Sequence, residues 1–173
     1  MLQGNIIFNN GGAGVLIEGG VKCSLQGNEI ALNGGAGVAV TGGTNHLIQA
    51  NSISGNAGLG IDLGGDGVTA NDNGDPDTGP NQRQNFPILS AATYSASGLA
   101  VSGNMNSRPN TAITIDFYSN AACDASGYGE GQKHLGSITV TTANNGNRNF
   151  TATLTNLPVG RLITATANRG RRR

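Results

Sequence analysis

The stretch NGGAGVLIEGG (residues 10–20) returns as NGGAGVAVTGG (33–43) and, more loosely, as NAGLGIDLGGD (56–66). Aligned at a 23-residue offset, Asn5, Asn28 and Asn51 coincide, as do Asn10, Asn33 and Asn56, and Gly14, Gly37 and Gly60. The apolar positions share the same offset: Leu2, Leu25 and Ile48; Ile7, Ile30 and Ile53; Val15, Val38 and Ile61; Ile17, Val40 and Leu63. A fixed period of this length is the mark of a solenoid, in which each repeat buries its apolar face only against its neighbours. Within each copy the apolar residues alternate, as in Val15-x-Ile17, so the units are strands and not helices. Gly and Asn bound every run and suit turns that need positive φ.

These constraints predict a parallel β-helix with three short strands per coil. Coils should hydrogen-bond about 4.8 Å apart, with Ile, Val and Leu in continuous inward stacks. The Asn columns should form amide ladders at the turns, since a buried amide left unpaired costs about 1–3 kcal/mol. Glycine, at 29 residues, and the low charged fraction of 12% fit such a scaffold. No apolar run is long enough for a membrane helix. Because Leu2, Asn5 and Ile7 already match later copies, the chain reads as beginning inside a longer array.

From residue 86 onward the pattern changes. Segments 86–93, 98–105, 112–118, 134–142, 149–154 and 162–167 are β-rich, with alternation such as Ile113-x-Ile115-x-Phe117, and polar turns separate them. Six strands at this spacing predict a β-sandwich, one strand short of the seven-stranded type. The organisation expected is thus coils over 1–66, a junction loop over 67–85, a sandwich over 86–168 and a basic, disordered tail over 169–173.

The pattern GN-x-I and then N-x-G-x-G-[VI]-x-[VI]-x-GG resembles the bacterial right-handed parallel β-helix repeat proteins of the pectate-lyase-like superfamily, over roughly residues 1–66. The stretch GIDLGGDGVTANDNGDPDTGPNQRQNFPIL (60–89), together with the segment C-terminal to it, resembles the exit from such a helix into an Ig-like sandwich in bacterial surface proteins. These resemblances imply an all-β fold, a short right-handed parallel β-helix joined to an Ig-like β-sandwich, with another strand expected after residue 167. They also imply an extracellular or cell-surface location, with a polysaccharide or another surface protein as partner.

Many β-helices cleave polysaccharides, so the coils must be read for that chemistry. A hydrolase needs carboxylates converging on one face, and a lyase of this kind needs a strong base above bound calcium. Glu18 falls over Thr41 and Gly64, Glu29 over Ser52, and Asp62 over Ala39 and Leu16, so no column pairs two acids. His46 and His134 are lone histidines without a ligand partner at metal spacing and read as surface residues. Phe8, Phe86, Phe117 and Phe150 read as core, which leaves Tyr94, Tyr118 and Tyr128 as the only aromatic platforms for a sugar, with Tyr128 on a loop. The expectation is a non-enzymatic structural or adhesive protein. The alternative is a carbohydrate-processing or carbohydrate-binding protein whose active coils lie upstream of residue 1.

Net charge is zero but divided. One Lys faces seven acids up to Gln82, and nine Lys or Arg face three acids after it. Four of those nine form the terminal RGRRR, which lacks any recognition module for nucleic acid beside it. Cys23 reads as a small core residue, and Cys123 as a loop thiol without a framework partner. The densest site candidate is NDNGDPDTG (71–79), where Asn71, Asp72, Asn73, Asp75 and Asp77 carry oxygen ligands suited to calcium. The EF-hand pattern fails there, since Pro76 holds the sixth position and Gln82 the twelfth. The competing reading is a polar turn that uses Asp and Asn for local hydrogen bonds. The first coil, having no predecessor in this sequence, has an edge open to pairing with another chain.

Overall fold

The structure is a computed structural model that describes residues 1–122, 124–155 and 161–169. Nine short strands build the first part: β1 (Leu2–Gln3), β2 (Ile6–Phe8), β3 (Val15–Ile17), β4 (Ser24–Gln26), β5 (Glu29–Ala31), β6 (Val38–Val40), β7 (Leu47–Gln49), β8 (Ser52–Ser54) and β9 (Ile61–Leu63). They form three parallel three-stranded sheets, β1-β4-β7, β2-β5-β8 and β3-β6-β9. The register is the sequence offset itself: Leu25 sits on Ile48, Ile30 on Ile53, Val38 on Ile61. This is the expected β-helix of three coils. Ile17, Leu25, Ile30, Val38, Val40, Ile48 and Ile53 fill its interior, and Cys23 packs against that stack.

The repeated Gly14/Gly37/Gly60 column has a steric cause. A Cβ on Gly37 would sit 2.4 Å from Ile53 Cγ2 and 2.7 Å from the Gly60 carbonyl oxygen, so only glycine lets the coils close to strand spacing. The turn column Asn9/Leu32/Gly55 is left-handed throughout, with φ of 60°, 56° and 66°. Leu32 is the misfit there, and its side chain is 64% exposed. Phe8, expected in the core, is also 60% exposed: it comes directly after the inward Ile7 and so points out of the coil.

The second part has six strands, β10 (Ile88–Ser95), β11 (Gly98–Asn106), β12 (Ala112–Asn120), β13 (Lys133–Thr141), β14 (Asn147–Leu154) and β15 (Leu162–Arg169). Two antiparallel sheets, β10-β11-β14 and β13-β12-β15, face each other as a sandwich. Alternation along β11 buries Leu99, Val101 and Met105. These meet Ile113, Ile115 and Phe117 of β12 and Phe150, Ala152 and Leu154 of β14, and Phe117 packs edge-on to Phe150 at 6.0 Å. β15 runs through Arg169, one residue past the expected end of the sandwich; the rest of the basic tail and Cys123 lie outside the described residues.

Candidate functional site

A continuous run of polar contacts lies where the third coil meets the sandwich. In the coils, each ladder Asn receives two hydrogen bonds on its Oδ1 from the coil before. Asn10 N and Nδ2 donate to Asn33 Oδ1 at 3.1 and 2.9 Å, and Asn33 N and Nδ2 donate to Asn56 Oδ1 at 3.1 and 2.8 Å. Among the described residues there is no fourth coil to receive Asn56. Glu130 takes that place: its Oε1 accepts from Asn56 N at 3.1 Å and Asn56 Nδ2 at 2.8 Å, and its Oε2 accepts from Gly55 N. A carboxylate oxygen thus occupies the position of the next amide in the column.

The backbone does the same. Gly131 lies antiparallel to Ile53, donating to its carbonyl at 2.9 Å and accepting from its N–H at 2.8 Å. Ser52 Oγ donates to the Gln132 carbonyl. The segment before β13 therefore continues the β2-β5-β8 sheet with reversed polarity.

The other two faces are closed by asparagines. Asn168, near the end of β15, accepts from Ile48 N at 3.2 Å and donates to Ile48 O at 2.9 Å, so one amide mimics a neighbouring strand for β7. Asn81, in a tight turn over Pro80–Arg83, accepts from His46 N at 2.8 Å and donates to His46 O at 3.2 Å. One coil back, Cys23 N donates to His46 Nδ1 at 3.2 Å. His46 is thus a ladder member, 4% exposed, and not the surface residue expected: its imidazole stands in for an Asn in that column.

Asp116 anchors this seam from the face of β12 opposite the sandwich core. Its fully buried carboxylate accepts from Ser137 Oγ at 2.6 Å and lies 3.0 Å from His134 Nε2, both at Oδ1. Its Oδ2 is 3.4 Å from Asn168 Nδ2. Although Ser, His and Asp meet here, the serine proton points at the carboxylate and not at the imidazole, so the grouping orients Asn168 and does not prepare a nucleophile. Tyr118, read as an aromatic platform for a sugar, is instead buried in the same seam. It packs edge-on to His134 at 5.4 Å. Burial pushes its phenol far above the usual range, and the neighbouring Asp116 adds to the effect.

Several oxygens of the junction loop meet protein donors. Asn71 Nδ2 donates to Phe86 O at 2.8 Å and its Oδ1 accepts from Phe86 N at 2.9 Å. Asn85 makes the matching clamp on Asp72, accepting from its N–H at 3.1 Å and donating to its carbonyl at 2.7 Å. Asn73 Oδ1 faces Asn106 Nδ2 at 3.5 Å. Asp75 is fully buried; its Oδ2 accepts from Ser107 Oγ and from Arg169 Nη2, both at 2.6 Å. Burial outweighs both partners and holds this carboxyl above the ordinary Asp range. The carbonyl of Asp77 accepts from Arg108 Nη2 at 3.4 Å. Among the described residues no three His, Cys, Asp or Glu side chains converge as a metal set. Two buried carboxylate oxygens in the loop, Asp72 Oδ1 and Asp75 Oδ1, have no protein partner among the described residues.

Two acids at the exit from the coils are used locally. Asp62 accepts from Gly65 N at 3.0 Å and Gly67 N at 3.2 Å, which folds the exit turn. Asp66 pairs with Arg83 at 2.9 Å, and that hydrogen bond holds its carboxyl below the usual range. Tyr128 is 47% exposed on its loop and packs edge-on to Phe86 at 5.7 Å.

The seam residues Asn81, Glu130 and Asn168 escaped sequence reading because none lies in the 23-residue period. The missing signal was indirect: a column whose last Asn lacks a successor requires an acceptor from elsewhere.

Comparison with known proteins agrees with the coils. The model of the right handed beta helix region matches residues 1–78. A search of curated proteins finds no match to the chain. Among the described residues no helix is long and apolar enough to cross a membrane.

Proposed function

We propose that the chain is a structural or adhesive module of a secreted or surface-attached bacterial protein, with the β-helix as a rigid stalk and the Ig-like sandwich as its terminal cap. The observation that carries this reading is the seam: three columns of the last coil are each continued by a residue from outside the repeat, Asn81, Glu130 and Asn168. Polar side chains that could do chemistry are committed to holding two modules at one angle.

The test is differential scanning calorimetry. A cap welded to its stalk gives one cooperative transition, and the double variant Glu130→Ala, Asn168→Ala should split it into two. Two independent transitions in the parent would refute the reading.

The second reading is carbohydrate binding or processing by a pectate-lyase-like protein with active coils upstream. The exposed Tyr128 against Phe86 favours it. Retention of this chain on a pectin or alginate column, lost in Tyr128→Ala, would support it over the purely structural role.

A further inference from the structure

One residue of the junction is held in a backbone conformation that its chemistry disfavours. Asp75 has φ of 50°, in the left-handed region that residues other than Gly seldom adopt. It is followed by Pro76, and a residue before proline favours extended backbone, because the ring Cδ crowds its other conformations. Such a residue persists only where its surroundings over-determine it, and these places cluster at functional sites. Here the neighbours are clamped on both sides. Asn85 grips the main chain of Asp72 at 3.1 and 2.7 Å, and Asn106 Oδ1 accepts from Gly74 N at 2.7 Å. Beyond the proline, Arg108 Nη2 donates to the Asp77 carbonyl at 3.4 Å.

The same residue brings together the parts of an acyl transfer. The carbonyl of the Asp75–Pro76 bond accepts from Arg108 Nε at 3.3 Å, so a guanidinium faces the oxygen on which negative charge would develop. The Asp75 carboxyl is fully buried. Its Oδ2 is fixed by Ser107 Oγ and Arg169 Nη2, and its Oδ1 has no donor among the described residues. Burial strips water from the group, which leaves its ionised form a stronger nucleophile. The leaving group is the nitrogen of Pro76, which has no N–H and so no hydrogen bond to lose. Pro76 is exposed, so water reaches the bond.

We propose that the Asp75–Pro76 bond is a self-cleavage site, cut by the Asp75 carboxylate with Arg108 holding the oxyanion. Oδ1 attacks the carbonyl carbon of its own residue, and the π pair moves onto the oxygen that Arg108 faces. As that pair returns, the C–N bond breaks, its electrons leave on the Pro76 nitrogen, and the nitrogen takes a proton from solvent. The cyclic anhydride left on Asp75 is opened by water, which gives a carboxyl group at each of its ends. The net change is hydrolysis, and nothing is oxidised or reduced. The products are residues 1–75, which carry the coils, and 76–173, which carry the sandwich. Asn81, Glu130 and Asn168 all belong to the second piece, so the seam still holds the pieces together and the cut makes the cap separable. The inference goes beyond the stalk-and-cap reading and does not depend on it, since the bond and its neighbours are the same whatever the chain holds or binds.

The purified chain is incubated folded, in neutral and in mildly acid buffer, and in parallel in urea, and is followed by intact mass spectrometry. The folded chain should yield 1–75 and 76–173 with first-order kinetics and at a rate independent of protein concentration. That rate should exceed the rate in urea by about tenfold or more. Methylamine in the buffer should appear as an amide on Asp75 of the first fragment, the mark of an anhydride. Pro76→Ala should remain whole, and Arg108→Met should slow the cut by about tenfold or more, with circular dichroism confirming that each variant folds. A folded chain that stays whole would overturn the proposal. Equal rates in the folded and urea samples would also overturn it, by reducing the cut to the acid lability of an Asp-Pro bond in any chain. The same holds for Pro76→Ala or a folded Arg108→Met cut as fast as the parent, and for fragments without the methylamine adduct. Should Arg108→Met not fold, the comparison of the folded parent with the parent in urea still decides.

Discussion

Removing the Glu130 carboxylate should uncouple the last coil from its cap. In Glu130→Ala, Asn56 N and Nδ2 and Gly55 N lose their acceptor together. Glu130 is partly exposed, so water replaces the bond to Gly55 at little cost. Asn56 is 7% exposed; its backbone N–H is stranded, and its Nδ2 keeps one bond, to Ile30 O at 3.2 Å, while the other N–H is left unpaired. At about 1–3 kcal/mol for each unsatisfied buried group, with some relief from water entering at the seam, the loss is about 2–4 kcal/mol. For a chain of this size that is a fall in midpoint of roughly 5–15 °C. Glu130→Gln is the informative partner. A Gln Oε1 can receive the same two bonds that each ladder Asn receives from its neighbour, while its Nε2 cannot accept from the exposed Gly55 N–H and must turn from it, so this variant should lie within about 1–2 kcal/mol of the parent and above the alanine variant. Thermal melts by circular dichroism give the midpoints, and hydrogen exchange at the Asn56 amide localises the change. An alanine variant that melts with the parent, or a glutamine variant as damaged as the alanine one, would show that the carboxylate does not serve as the next rung of the ladder.

The same geometry sets four further outcomes. Val38→Asp should abolish the folded helix, because Val38 is fully buried and an unpaired charge there is prohibitive, whereas Asn33→Ala should cost about 1–3 kcal/mol in a urea titration. Arg169→Met should cost about 3–5 kcal/mol at neutral pH by leaving Asp75 charged and unpaired. Because the Asp75 carboxyl is held above its unfolded value, its contribution is most favourable below that value and is lost as pH rises through the folded one, so the deficit should shrink toward acid pH and largely vanish when Asp75→Asn is added. Leu32→Gly should stabilise by about 0.5–1 kcal/mol, because the left-handed turn it occupies suits glycine; a loss of stability in denaturant melts would mean the exposed side chain contributes packing. If the oxygens of Asn71, Asp72, Asn73, Asp75 and Asp77 hold calcium, the chain should be more stable in calcium than in chelator by about 1.8 kcal/mol at roughly twenty times Kd; Asp75→Asn with Asp77→Asn should erase the difference, and equal melting midpoints for the parent in both buffers would leave residues 71–79 a polar turn.

The coils were legible because their information is local and redundant. One offset fixed every register pair, from Leu2 on Leu25 to Val40 on Leu63. The sandwich strands were legible to within a few residues at each end, since alternation such as that of Ile113, Ile115 and Phe117 survives without the fold. What failed was long-range. His46 and Tyr118 looked like surface groups because their partners, Asn81 for one and the packed seam for the other, come from outside their own segments. The acids at 71–79 looked unneutralised because Arg169, which reaches Asp75, lies 94 residues away. Phe8 failed for a local reason, since a three-residue strand with its middle side chain inward points both neighbours out, and Ile7 already filled the inward place.

The cap addresses the helix mainly through features that each coil repeats: an Asn at the position of Asn56, the main chain at the positions of Ile48 and Ile53, and the backbone beside His46. Among the described residues the side-chain contact specific to the last coil is Ser52 Oγ on the Gln132 carbonyl, since Ile6 and Glu29 hold that position in the earlier coils. Coil number can therefore change by whole units of 23 residues through duplication or loss upstream while the same cap still docks, so the length of the array and the identity of its end can evolve separately. Insertion of a second copy of residues 33–55 should give a folded chain one coil longer with Glu130 on the new terminal Asn; an insertion one residue shorter or longer should not, because a slip of one residue turns every inward side chain out.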